Sequence, residues 1–252
     1  MDLQLNGTRV LVTGGTRGIG RAIVEAFLDE GATVGFCARD TDEVSATQGA
    51  LGERGNVTGT VVDVGDGDAL AAWVDQSAAS FGGIDTVVAN VSALAIPDTE
   101  ENWQQSLNVD LMHTVRLVRA ALPHLEQSSA PSIIAISSVS GRESDFASGP
   151  YGTAKTAIIG YISGLALQLA EKGIRANTVS PGNTYFEGGV WASIENGNPD
   201  LFRTAVGLNP TGHMGTPEEV AAPVVFLASP RSSRISGTNL VVDGALTRGV
   251  QV

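Results

Sequence analysis

The chain has 252 residues, 42% of them hydrophobic and 17% charged, a length and composition that suit one large α/β domain. Its 15 basic and 27 acidic side chains leave a formal net charge of −12, which repels phosphate backbones and argues against nucleic-acid binding. The lone cysteine, Cys37, excludes an internal disulfide framework; with no apolar run long enough for a bilayer and no signal-peptide pattern in MDLQLNGTRV, a cytoplasmic protein is expected.

Short β-rich runs alternate with longer helical patterns along the chain. Residues 8–13 (TRVLVT) predict a first strand, followed by glycines and a helix over 19–30 that Gly31 closes in the left-handed position. A strand at 33–38 leads to a helix from about Asp42, and a strand at 57–62 to a helix over 68–81. Next come a strand at 84–89, a long helix over 101–125, a strand at 132–138, a helix over 151–172 and a strand at 175–180. A Gly- and Asn-rich stretch at 183–215 breaks the rhythm and reads as a long loop that acts as a lid. A helix over 217–228 and a strand at 239–242 close the chain. Strict β/α alternation with nearly unbroken apolar strands predicts a doubly wound parallel sheet of about seven strands, with helices on both faces, formed by a single domain over 1–252.

The first strand runs into Thr13-Gly14-Gly15-Thr16-Arg17-Gly18-Ile19-Gly20, where a helix begins. Glycines here let the backbone turn tightly and approach a pyrophosphate, whose charge the helix N-terminus favours. The spacing Gly-x-x-x-Gly-x-Gly resembles the TGxxxGIG motif of the short-chain dehydrogenase/reductase family. The likeness continues through Asp63-Val64 after the third strand, Asn90 after the fourth, Asn108 in LNVDL, Ser138 in IIAISS and Tyr151-Gly152-Thr153-Ala154-Lys155. Pro181-Gly182 after the sixth strand and Val242-Asp243-Gly244 near the end complete a match over essentially the whole chain. The nearest likeness within the family is to 3-oxoacyl-[acyl-carrier-protein] reductases. The resemblance implies a Rossmann-type fold and a nicotinamide dinucleotide held by Gly14, Thr16, Arg17, Gly18, Ile19, Gly20, Asp63, Val64, Asn90, Pro181, Gly182 and Thr184.

The end of the second strand selects the dinucleotide. An acidic side chain there reads a free ribose 2′-hydroxyl, whereas arginine accommodates a 2′-phosphate. By family alignment the NAD-type aspartate falls on Ala38 and the NADP-type arginine on Arg39, with Arg17 as a second forked donor. NADP is therefore expected; Asp40, one residue on, keeps NAD as the alternative.

Tyr151 and Lys155 are four apart near the start of a helix and share one face. A phenol, with an unperturbed pKa of about 10, is a poor acid–base group at neutral pH, and a neighbouring ammonium stabilises its anion. Ser138 ends a parallel strand on the carboxyl edge, where its hydroxyl can hold a carbonyl oxygen. The resemblance implies that Tyr151 is the general acid in reduction and base in oxidation. It also implies that Lys155 tunes Tyr151 and holds the nicotinamide ribose, while Asn108 positions a relay water. The three histidines, His113, His124 and His213, have no metal-ligand spacing, so no metal is expected. The reading is an NADP(H)-dependent oxidoreductase that interconverts a ketone and a secondary alcohol. The alternatives are an NAD-dependent alcohol dehydrogenase and a non-catalytic dinucleotide-binding regulator of the same fold. Tyr185, Phe186, Val190 and Trp191 are candidates for covering a small-molecule substrate or for packing the lid. Family members of this length imply a homotetramer built from the helices at 101–125 and 151–172 and from the tail at 244–252.

Overall fold

All the strands of the computed structural model, which describes residues 1–249, are parallel and belong to one seven-stranded sheet of order β3-β2-β1-β4-β5-β6-β7. They are β1 (Arg9–Thr13), β2 (Thr33–Ala38), β3 (Val57–Val61), β4 (Thr86–Ala89), β5 (Ser132–Ile136), β6 (Arg175–Pro181) and β7 (Asn239–Val242). The chain order reverses between β1 and β4, whose central pair is Leu11 beside Val87. That reversal opens a crevice at the carboxyl ends of the strands.

Both faces of the sheet are covered. On one, α1 (Gly18–Asp29), α2 (Thr41–Leu51) and α9 (Pro217–Ala228) pack Ile23, Phe27, Val44 and Val224 against Val12, Val34 and Val179. On the other, α3 (Gly67–Phe81), α5 (His113–Leu125) and α6 (Pro150–Leu169) pack Leu70, Trp73, Leu117 and Ile158 against Leu11, Val87 and Ile133. Thr216 and Glu219 form a reciprocal capping box at the start of α9, and Gly31 follows α1 with φ +79°.

Three differences from the sequence expectation bear on the site. The strand expected at 132–138 ends at Ile136; Ser138 turns out of the sheet and accepts from the Ser140 N–H at 3.2 Å. The helix expected over 101–125 is a composite of α4 (Glu100–Gln105), a π-helical segment (Ser106–Met112) and α5. The stretch at 183–215 is not a structureless loop. It carries α7 (Val190–Gly197) and α8 (Pro199–Leu208), joined at Asn198, whose side chain caps α8. Their packing is local, around Trp191, Ala205 and Met214 with Ile194, Phe202 and Val206.

Candidate active site

The glycine turn between β1 and α1 is shaped by close approach. A Cβ at Gly20 would stand 1.9 Å from the Gly14 carbonyl oxygen, so any side chain there would break the turn. Gly14 itself has φ +74°, the left-handed region. Asn90, at the end of β4, ties the turn down: its Nδ2 donates to Thr13 O at 3.0 Å, and its N–H donates to Thr13 Oγ1 at 3.0 Å.

From this turn a cleft of about 650 Å³ runs along the carboxyl edge of the sheet. Gly14, Thr16, Arg17, Ile19, Gly20, Arg39, Asp63, Val64 and Asn90 line one part, and Ser138, Tyr151, Lys155, Pro181, Gly182 and Thr184 line the rest. Gly18 is covered by the lid, because the Phe186 ring lies against its Cα. Arg17 and Arg39 are exposed on the cleft wall. The Asp40 carboxylate is engaged as the cap of α2, accepting from the Glu43 N–H at 2.9 Å. Glu43 in turn accepts from Thr16 Oγ1 at 2.9 Å, a contact that sequence reasoning did not single out.

At the inner end, Ser138 is buried and Tyr151 half-buried, both on the cleft wall. Lys155 lies a turn along α6 with its Nζ 5.6 Å from the Tyr151 ring centroid, near enough for the ammonium to act on the phenol. Its side chain is only 2% exposed, and Nζ donates to the Ile136 carbonyl at 3.0 Å. The surrounding wall is largely apolar, with Ile96, Val139, Phe146, Val190, Trp191 and Ile194, and with Gln105 and Ser140 as polar points. Trp191 also anchors the lid cluster and meets Phe146 edge-on at 6.2 Å. Of the four lid residues singled out, Tyr185 is the exception: it does not line the cleft, and its hydroxyl donates to Glu195 within the lid.

Asn108 falls outside this arrangement. It is exposed, accepts from Arg116 at 2.8 Å and donates to Gly65 O at 3.4 Å, and it lines no part of the cleft. The reason is the π-helical turn, which aims Asp110 inward in its place. The Asp110 side chain is completely buried, with Oδ1 3.3 Å from Lys155 Nζ and Oδ2 accepting from the Ala93 N–H at 3.1 Å. His113, one turn on, is also buried. Because Val109 O can only accept, Nδ1 carries the proton at 3.0 Å, and Nε2 accepts from the Thr13 hydroxyl at 2.9 Å. Burial and the neighbouring Lys155 lower its pKa to about 4 against the raising effects of Val109 and Asp110, so the ring is neutral at pH 7. Burial also pushes the Cys37 thiol up to about 12, which makes it a packing residue rather than a nucleophile. Among the described residues no cluster of His, Cys, Asp or Glu could hold a metal ion, and no helix is long and apolar enough to cross a membrane.

A parallel sheet of this order with a glycine turn at its reversal defines a doubly wound α/β protein of the Rossmann type. Comparison with known proteins gives the family. A family model described as enoyl-(acyl carrier protein) reductase matches residues 14–247. Isoepoxydon dehydrogenase of Penicillium expansum is 42% identical over 254 residues, covering 98% of this chain and 97% of its own length. A 3-oxoacyl-[acyl-carrier-protein] reductase of Vibrio harveyi is 32% identical over 97% of this chain and 99% of its own. The crystal structure of L-sorbose reductase from Gluconobacter frateurii, complexed with NADPH and L-sorbose, superposes with a TM-score of 0.91 at 27% identity, covering 99% of this chain and all of that one. The chain belongs to the short-chain dehydrogenase/reductase family and is an oxidoreductase.

Proposed function

We propose that the chain is an NADP(H)-dependent oxidoreductase interconverting a small ketone and a secondary alcohol, with Tyr151 as general acid and base. The observation that carries this reading is the meeting of Ser138, Tyr151 and Lys155 on the wall of the same cleft that begins at the glycine turn. The turn fits a pyrophosphate, since its glycines let the backbone fold back on itself, Gly20 against the Gly14 carbonyl, right at the N-terminus of α1. When bound, the nicotinamide supplies or accepts the hydride.

The chain's own groups handle orientation and the proton. Gly14, Thr16, Gly18, Ile19 and Gly20 would seat the pyrophosphate, Asp63 and Val64 the adenine end, and Asn90, Pro181, Gly182 and Thr184 the nicotinamide end. Ser138 would hold the substrate oxygen. Tyr151 would give its hydroxyl proton to that oxygen in reduction and take one in oxidation, with the Lys155 ammonium stabilising the phenolate. Arg17 and Arg39 favour a 2′-phosphate. The engagement of Asp40 in capping α2 leaves it poorly disposed toward a free 2′-hydroxyl, which supports NADP over NAD. The NADPH in the sorbose reductase structure favours the same choice.

A small free substrate fits better than one delivered by an acidic carrier protein, because a net charge of −12 repels such a partner. A cytoplasmic homotetramer completes the proposal. The test is separate titration with NADPH and NADH, followed by a panel of cyclic and open-chain ketones, secondary alcohols and 3-oxoacyl thioesters with the tighter cofactor. Turnover with NADPH on a free ketone supports the reading; turnover confined to NADH, or absent with every carbonyl, overturns it.

A further inference from the structure

The strongest feature that the proposed mechanism does not use is the buried pair of Lys155 and Asp110. A lysine 2% exposed retains its charge only when paired or hydrated, and its partner here is a carboxylate that is itself wholly buried. Asp110 Oδ2 is fixed by the Ala93 N–H, whereas Oδ1 has no hydrogen-bond partner among the described residues and faces Nζ at 3.3 Å, an ionic contact. The π-helical segment Ser106–Met112 creates this placement, and Thr114 Oγ1, donating to Asp110 O at 2.9 Å, closes its end. Single π turns inside helices are frequent at functional sites.

We propose that Asp110 is a positioning residue for Lys155, seating the ammonium and offsetting its charge, and so sets the pH range in which Tyr151 takes a proton from an alcohol. The proposal rests on the roles assigned to Tyr151 and Lys155 under the proposed function. An ammonium alone favours the phenolate; a carboxylate paired with it cancels part of that field and favours the neutral phenol. The pair therefore biases Tyr151 toward the acid form that reduction needs at neutral pH, and moves alcohol oxidation to higher pH.

Few other charges face this group. From α5, His113 is neutral and Arg116 is turned to Asn108 and Gly65. From the cleft face Asp63, Arg17, Arg39, Asp40 and Glu43, and on neighbouring segments Glu100, Glu101, Arg142, Glu143 and Asp145 are all exposed to solvent, which screens them. Lys155 lines the cleft and keeps its bond to Ile136 O, so it remains held when Asp110 loses its charge.

The experiment compares the parent, Asp110→Asn and Tyr151→Phe by tyrosinate absorbance near 295 nm in cofactor-free protein. Only three tyrosines are present. Tyr185 beside Glu195, and Tyr161 by burial, are both shifted upward, and subtraction of the Tyr151→Phe curve isolates the third. In Asp110→Asn the Tyr151 transition moves to lower pH by about one unit or more. The pH at half-maximal kcat for alcohol oxidation moves by the same amount, and Asp110→Glu restores the parent profile. An unchanged or raised transition overturns the proposal, whatever the loss of thermal stability. Asp110→Ser, which keeps an acceptor for the Ala93 N–H, replaces the Asn variant if that one does not fold. If the parent turns over no carbonyl with either dinucleotide, the oxidoreductase assignment of the site falls, while the absorbance titration still decides the charge coupling.

Discussion

One oxygen atom distinguishes Tyr151, the proposed acid–base group, from a phenylalanine of nearly the same shape, so Tyr151→Phe isolates the proton step. Its turnover falls by two orders of magnitude or more, the range that general acid–base catalysis spans, with NADPH affinity little changed. Steady-state kinetics and a cofactor titration check both halves, and wild-type turnover in the variant removes Tyr151 from the mechanism. Arg39→Ala acts on the other end of the cleft. Losing a forked donor to a dianion weakens NADPH binding by about 1.5 kcal/mol, roughly tenfold in Kd, and leaves NADH binding in place. Equal losses for the two cofactors place Arg39 away from the 2′-phosphate. Tyr151, Lys155 and the glycines were legible in sequence because their relation is local: a four-residue helical spacing, or a turn in which a Cβ has nowhere to go. The pairing of Lys155 with Asp110 is not local. Residues 108 and 110 both carry short polar side chains in the same helix, and only the π register decides which of them is buried.

The elements themselves follow from periodicity wherever a face is broad. β1, β4 and β5 are central and largely apolar, and α1, α5 and α6 each present several aliphatic residues to the sheet. The π turn leaves no such mark, since one extra residue per turn preserves the average apolar content while rotating every later residue about the helix axis. The lid helices were missed because α7 and α8 bury little, and glycines and asparagines around them read as loop chemistry. A signal was present in Asn198-Pro199, a cap followed by proline at the first helical position. The π turn also sets an acid limit on the fold through His113. Its folded pKa of about 4 lies below the ordinary value of 6.5, so the unfolded chain binds a proton that the native state refuses. The stability is complete above pH 6.5 and is lost as pH falls toward 4, amounting to about 2–3 kcal/mol between pH 7 and pH 4.5. His113→Gln removes this titration. Urea midpoints at those two pH values then differ by less than in the parent, even if the variant starts lower at pH 7. An identical drop in the two proteins assigns the acid sensitivity to other groups.

At the scale of the whole molecule, the strongest unsatisfied demand is on the outward face of α6. Gly160 and Leu167 are exposed and Gly164 half-exposed, one after another at helical spacing, and a Cβ added at either glycine meets nothing within 4 Å. Leu167 is 82% exposed, an apolar side chain with no cover from its own subunit. A small-residue stripe flanked by leucine suits close approach of the same helix from a second copy across a two-fold axis. A substitution on it would then meet itself, so Leu167→Glu would place two like charges face to face where the proposed contact buries two leucines. The proposed tail contact, 244–252, lies partly outside the described residues, since 250–252 are not among them. The two contacts are separable by mass. Light scattering at micromolar concentration gives four chains for the parent and two for Leu167→Glu, with the circular dichroism of the folded domain retained. Truncation from Thr247 also gives two, but leaves the α6 contact intact. Combining both changes yields single chains. A parent that scatters as one chain, or a Leu167→Glu variant that keeps the parent mass, shows that the α6 stripe faces solvent and that any assembly is made elsewhere.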